Sequence, residues 1–427
     1  MKRRVLLIGY NFYPEPTGIG KYSGEMIAWL AQNGYDCEVV TSYPYYPEWK
    51  VQDEYSNKKH WYSTEFQNFG ESKIKVNRCP MYVPSVPSGF KRILLDLTFL
   101  ISACLMLLTL LFQRKFDYVI TVVPCFQFGL LGVLYKKLRK TTLLYHIQDL
   151  QIEAARDLNM ITSPVLINTL FKLEKYILNE SDVISSISEG MVRKIKIKAK
   201  KDVYLFANWT DCKAFFPING RSDLKEEFGF KRSDKIILYS GAIGEKQGLE
   251  AILYAAKAME KQRSFKFVIC GSGPYKEKLS SLSQNLGLNN LIIFSLQPAE
   301  CFNKFLNMAD VHLVIQKATA GDLVMPSKLT TVLGVGGLAL ITAKQGTGLH
   351  SLISQHNIGI LVNPEDQLAL NEGIWNAVMG DYDNVRLNAR MYAEENLSVD
   401  KIMGRYKHDV LEPSLVVKKL PVEQVPA

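Results

Sequence analysis

Short apolar runs alternate along this chain with stretches in which apolar positions return every three or four residues. Residues 5–9 form the first run, and a run of that length without polar alternation predicts a strand buried on both faces of a parallel sheet. Tyr22, Met26, Ile27 and Leu30 then recur at helical spacing, and Asn33-Gly34 closes that helix with a pair suited to left-handed backbone. A second run at 37–41 completes a strand–helix–strand unit. Further strands are predicted at 116–123, 141–147 and 182–187. A new series follows at 235–240, 265–270, 290–294, 311–315 and 338–342, with helical patterns at 249–261 and 300–308 between its members.

The two series are separated by residues 205–234, where Asn208, Pro217, Asn219 and Gly220 mark a linker. The pattern predicts an α/β protein of two doubly wound domains, 1–205 and 206–395, with 396–427 as a terminal helix and tail returning toward the first. In such sheets, ligands bind at the carboxyl ends of the strands, here in the cleft between the domains.

Residues 93–112 break the pattern: they hold one charge, Asp96, and are flanked by Lys91-Arg92 and Arg114-Lys115. The length suffices to span a bilayer. The strands on either side belong to one sheet, however, and a span would split them across the membrane. A helix lying in the bilayer surface is the expectation, with a helix buried in the core as the alternative.

Charge sharpens that expectation. The chain of 427 residues carries a net +9, and residues 1–205 hold 27 Lys/Arg against 19 Asp/Glu. The surplus points to an anionic membrane, a polyanion or a phosphorylated substrate met by the first half. The run RKIKIKAKK at 193–201 would add attraction to anionic headgroups. Seven cysteines without CxxC spacing and six histidines without HExxH spacing imply neither a disulfide framework nor a zinc site, which fits a reducing cytosol. The apolar run after Met1-Lys2-Arg3-Arg4 is too short for a signal sequence.

Candidate chemistry sits where predicted strands give way to helices. Gly18-Ile19-Gly20 lets backbone N–H groups approach an anion at a helix N-terminus. Its distance from the first strand disfavours a dinucleotide fingerprint. Gly241 to Gly248, with Lys246, repeats the arrangement in the second half, and the lysine is a compact charge for a diphosphate. Gly271 lies in a third glycine turn. Pro326-Ser327-Lys328 opens a helical pattern, with Ser327 as its N-cap and Lys328 beside the exposed N–H groups. His146 and Asp149 follow a strand at the cleft end, where an imidazole could hydrogen-bond substrate or carry a proton.

Taken in order, Gly18-Ile19-Gly20, Tyr239-Ser240-Gly241, Lys246-Gln247-Gly248, Cys270-Gly271-Ser272-Gly273 and Pro326-Ser327-Lys328-Leu329 resemble the motifs of GT-B glycosyltransferases of family 4. SGAIGEKQGLE and MPSKLTTVLGVGGLALITA are similar to the colanic-acid-biosynthesis subfamily, and the likeness runs from residue 1 to about residue 410. Ser188-Glu189-Gly190-Met191 and Asn208-Trp209-Thr210-Asp211 look like the family's interdomain landmarks.

The resemblance implies a GT-B fold, two Rossmann-like domains facing a central cleft. It implies a retaining, metal-independent sugar transfer from a nucleotide diphosphosugar, GDP-fucose before UDP-sugars, with no cofactor. The implied acceptor is a polyprenyl-diphosphate-linked oligosaccharide in exopolysaccharide biosynthesis, met on the cytoplasmic face of the membrane; no nucleic-acid partner is implied. By resemblance Lys246 contacts the distal phosphate, the Pro326-Ser327-Lys328 turn lies under the diphosphate, and Gly18 and Gly20 close the site from the other domain. His146 lies where the family places a polar contact to the transferred sugar or the acceptor.

The chain departs from the family at two glutamates, whose places fall at Leu323 and Thr331. Asp310 and Asp322 are the acids between Glu300 and Glu365, so Asp322 is the candidate substitute on the sugar hydroxyls. The arginine common before the lysine is also missing. These gaps leave a second reading open, a membrane-bound scaffold that keeps the fold without transfer activity.

Overall fold

The computed structural model describes residues 2–16, 18–157, 163–318 and 326–413, with backbone alone at Ala154, Lys246 and Ser327. Two sheets organise the chain. The first contains β1 (Arg4–Ile8), β2 (Asp36–Ser42), β3 (Ser63–Phe69), β4 (Ser72–Cys79), β5 (Tyr118–Val123), β6 (Thr142–Ile147), β7 (Val183–Ser186) and β8 (Val203–Leu205). Its order is β3-β4-β2-β1-β5-β6-β7-β8, parallel except for β3 against β4. The second contains β9 (Lys235–Ser240), β10 (Phe265–Cys270), β11 (Leu291–Phe294), β12 (Val311–Val314), β13 (Ala339–Thr342) and β14 (Ile360–Val362), in the order β11-β10-β9-β12-β13-β14, all parallel. These are the two doubly wound α/β domains that the pattern predicts.

Successive side chains on a strand point to opposite faces, and both faces of β1 are covered. Val5 and Leu7 pack with Tyr22, Met26 and Ile27 of α1 (Gly18–Gln32). Leu6 and Ile8 pack with Leu95, Phe99 and Ala103 of α2 (Gly89–Leu110) and with Leu131 of α3 (Gly129–Arg139).

The apolar segment at 93–112 lies within α2 and just past its end, and it is two-faced. Leu95, Phe99, Ala103, Leu107 and Leu110 are buried, while Phe90, Ile93, Leu97, Ile101, Leu105, Leu108 and Phe112 are exposed. Asp96 is on the inner side, 8% exposed, where its carboxylate accepts hydrogen bonds from Tyr10, Cys125 and Gln151. A wholly buried core helix is therefore not what the segment forms.

The chain leaves the first lobe through Phe206 and Trp209, both in that lobe's core. It returns beside its own exit: Thr210 and Ser398 form a parallel bridge, and the Thr210 N–H donates to the Leu397 carbonyl at 2.8 Å. The helix Val399–Tyr406 then docks on the first lobe. Tyr406 stacks on Phe206 at 4.1 Å between ring centroids, Trp29 donates to Asp400, and Tyr118 donates to the Leu411 carbonyl.

Candidate active site

In the first lobe, the loop after β1 is shaped by a residue that pattern reading passes over. Glu15 is 2% exposed; its Oε1 accepts the N–H groups of Tyr45 and Tyr46 at 3.1 and 3.0 Å, and its Oε2 accepts from Asn11 Nδ2 at 2.8 Å. Burial pushes its carboxyl up to about 7 against the opposing pull of those hydrogen bonds. A Cβ on Gly20 would stand 2.6 Å from Glu15 Oε2, and Gly18 has φ +59°. Gly20 is thus demanded by packing against Glu15, and Gly18 by its left-handed backbone, as α1 begins. Glu15 carries no periodic or motif signal, which is why the sequence conceals it.

His146 lies at the end of β6, opposite Ser185 of β7. It is 3% exposed, its Nδ1 is 3.0 Å from Ser185 Oγ, and its ring meets Phe206 edge-on. Burial lowers its pKa to about 3, so the imidazole is neutral in the free protein and can accept or donate a hydrogen bond. Asp149 follows, half-buried, just before the helix Gln151–Asp157.

In the second lobe, the glycine turns after β9 and β10 interlock. The Gly241 N–H donates to the Cys270 carbonyl at 2.9 Å and that of Ile243 to Ser272 at 2.8 Å. A Cβ on Gly271 would fall 1.9 Å from the Gly241 carbonyl oxygen, and one on Gly273 would fall 2.1 Å from that of Ile243. Gly271 therefore permits the contact between the turns. Gly241, at φ +156°, faces Lys328, whose Nζ would be 3.7 Å from a Cβ there. Lys246 lies in the 3-10 turn Glu245–Gln247, and its side chain is outside the described residues, as is Asp322 entirely.

The helix at the last motif begins at Ser327, with Pro326 in the cap position and no side-chain cap bond. Ser327 is thus the first helical residue and not the N-cap predicted for it; proline, with φ fixed near −64°, ends the preceding extended segment instead. Lys328 reaches back from this helix. Its Nζ is shielded from solvent, sits 3.6 Å from the centroid of the Tyr239 ring and has no hydrogen-bond partner among the described residues. Desolvation lowers its pKa to about 7. A buried ammonium with unfilled donors at a glycine turn is a site for an anion.

The two lobes meet here. Tyr22 of α1 is hydrogen-bonded to Thr330, two residues beyond Lys328. Trp209, where the chain leaves the first lobe, donates to Glu25 of α1 at 2.7 Å within that lobe. The start of α1 and the Pro326-Ser327-Lys328 turn therefore share one cleft, with Thr331 on the following turn of the same helix. Among the described residues, no cluster of three His, Cys, Asp or Glu could hold a metal ion. An Asp-x-Asp pair does occur, Asp381-Tyr382-Asp383, but it starts the helix Asp383–Tyr392, where Asp381 accepts the Asp383 N–H.

Comparison with known proteins adds to this geometry. A family described as glycosyl transferases group 1 matches residues 220–395, and one described as a glycosyl transferase 4-like domain matches residues 17–198. The colanic acid biosynthesis glycosyl transferase WcaI of Escherichia coli is 37% identical over 95% of this chain and 99% of its own. Sucrose-phosphate synthase from Thermosynechococcus elongatus superposes with a TM-score of 0.73, covering 97% of this chain and 100% of that one at 16% identity. Anabaena HepE, solved in complex with UDP-glucose, superposes with a TM-score of 0.65, covering 94% of this chain and 97% of that one at 13% identity. At such identities the structural likeness speaks for the fold alone.

Proposed function

We propose, from the premise that this chain belongs to the group 1 glycosyltransferases with a glycosyltransferase 4-like first domain, that it moves a sugar from a nucleotide diphosphosugar to a lipid-linked oligosaccharide in exopolysaccharide assembly. The observation that carries the donor assignment is Lys328, a buried ammonium without a hydrogen-bond partner among the described residues, facing Gly241 beside a helix N-terminus. A leaving diphosphate develops negative charge, and preorganised cations and N–H dipoles stabilise it where water is excluded. Lys246 stands on the neighbouring turn as the second cation, and Gly18 and Gly20 stand at the facing end of α1. The neutral His146 and Asp149 are assigned to the sugar and acceptor side. Transfer proceeds with retention and without a metal. GDP-fucose is the first donor to test and UDP-sugars the next.

The lipid-linked acceptor agrees with the outward stripe of α2. Phe90, Ile93, Leu97, Ile101, Leu105, Leu108 and Phe112 follow one another at spacings of three and four along one side of the helix, the geometry of an interfacial helix. Lys91, Arg92, Arg114 and Lys115 sit at its ends. The run at 193–201 contributes less than its charge promises. Lys198 bonds Glu153 and Glu174 at 2.6 and 2.8 Å, and Lys201 donates to backbone carbonyls.

The test is a thermal-shift panel of GDP, UDP, GDP-fucose and UDP-sugars. At least one nucleotide should raise Tm in the wild type and not in Lys328→Ala. A panel without any shift would favour a scaffold that lacks donor binding.

A further inference from the structure

A cavity of about 200 Å³ opens at the carboxyl ends of β12, β13 and β14, next to the turn that carries Lys246. It is smaller than the roughly 300–1,000 Å³ of sites that enclose drug-sized ligands, so its occupant is a single small group. Gln316, Gln247, Thr342 and Asn363 are among the residues that line it.

Two of these hold unspent hydrogen-bonding capacity. Gln316 is 8% exposed, and its Nε2 is shielded from solvent with no partner among the described residues. Gln247 Oε1 is likewise shielded and unpartnered. The backbone of Gln316 is pinned on both sides: its N–H donates to Thr342 Oγ1 at 2.8 Å, and Thr342 Oγ1 donates to its carbonyl at 2.9 Å. The backbone of this cavity-lining residue is therefore fixed, while its Nε2 finds no partner among the described residues. The acids nearby are already engaged, Glu365 Oε2 by the Ala318 N–H and Asp366 Oδ1 by the Ala369 N–H. A donor and an acceptor on two residues that line one cavity, each without a partner among the described residues, match a hydroxyl, which accepts and donates at once.

We propose that this cavity receives the sugar ring of the donor, and that Gln316 and Gln247 are the neutral amide pair that reads its hydroxyls. The inference rests on the donor reading above and extends it to Gln316, outside the motif positions, and to Gln247, within the Lys246-Gln247-Gly248 motif. It also gives the missing glutamates a physical replacement. Hydroxyl recognition passes from charged carboxylates to amides, and Leu323 and Thr331 need not take it over.

The experiment compares two ligands on three proteins by calorimetry. The ligands are the nucleotide sugar that binds best in the panel and its parent nucleoside diphosphate; the proteins are wild type, Gln316→Ala and Gln247→Ala. Both variants should weaken the nucleotide sugar at least tenfold and change the parent diphosphate less than twofold. Equal weakening of both ligands would make the cavity part of the nucleotide site and overturn the inference. An unchanged affinity for the nucleotide sugar in both variants would overturn it as well. A wild type that binds neither ligand would overturn the donor reading itself. Melting curves accompany each variant, and Gln247→Ala decides the matter should Gln316→Ala fail to fold.

Discussion

Lys328 is a residue whose cost and use are both visible. Its ammonium is stripped of water, faces an aromatic ring and has no described hydrogen-bond partner. The folded-state pKa of about 7 lies below the unfolded value of 10.5. The unfolded chain therefore binds more protons between those values, and stability rises with pH across that window. Lys328→Met keeps the bulk of the side chain and removes the charge. It should raise stability by on the order of 5 kcal/mol below pH 7 and progressively less toward pH 10, while losing donor binding. Melting curves of both proteins at pH 6 and pH 9 measure this; a variant less stable at pH 6 would show that the ammonium is already paired in the free protein. The position of Lys328 was legible in the sequence as a lysine after a proline at a helix start. Its burial against Tyr239 was not, because Tyr239 is 89 residues earlier and only the pairing of β9 with β12 brings the two together. Glu15 was hidden for the same reason: its partners Tyr45 and Tyr46 arrive from the next strand–loop segment.

At the scale of elements, apolar runs located ten of the strands, since a strand buried on both faces leaves an unbroken apolar signature. The hairpin of β3 and β4 escaped. Ser63 to Phe69 alternates intermediate and exposed positions at the sheet edge, and Lys73 and Lys75 interrupt its partner. Edge strands carry such polar residues because an apolar edge invites further pairing. For α2, hydropathy announced a helix without saying which side was wet. The structure divides it into a core-facing side that holds Asp96 and an outward stripe. Replacing Phe90, Leu97 and Leu105 together with glutamine should abolish flotation with anionic vesicles and leave Tm unchanged, because these side chains bury little against the fold. Loss of Tm together with unchanged flotation would show that the stripe packs on protein. Binding of the wild type should need anionic lipid and weaken with salt.

Across the whole molecule, two doubly wound sheets were legible from the order of runs. The return of the terminal helix toward the first lobe was an expectation of the sequence, but nothing in the segment 399–413 names Phe206 as its partner. Tyr406 shows what that docking is worth. It is 1% exposed and stacked on Phe206, and truncating a buried aromatic costs about 3–5 kcal/mol. Tyr406→Ala should lower Tm by several degrees, as read by calorimetry; a shift below one degree would mean that the terminal helix is not part of the cooperative unit.

The two lobes, the glycine turns and the buried lysine converge on one claim, that Lys328 receives the donor diphosphate. Proton uptake on binding tests it most directly. In the free protein at pH 8, most of Lys328 is neutral, because its pKa is about 7. A diphosphate beside it favours the ammonium, so binding must draw a proton from solution. At pH 6 the proton is already there. Titration calorimetry of the preferred nucleotide sugar, in buffers of different ionisation enthalpy, should give uptake approaching one proton at pH 8, almost none at pH 6, and neither uptake nor tight binding in Lys328→Met. Binding at pH 8 without proton uptake, or undiminished affinity in Lys328→Met, would contradict the assignment of Lys328 to the diphosphate.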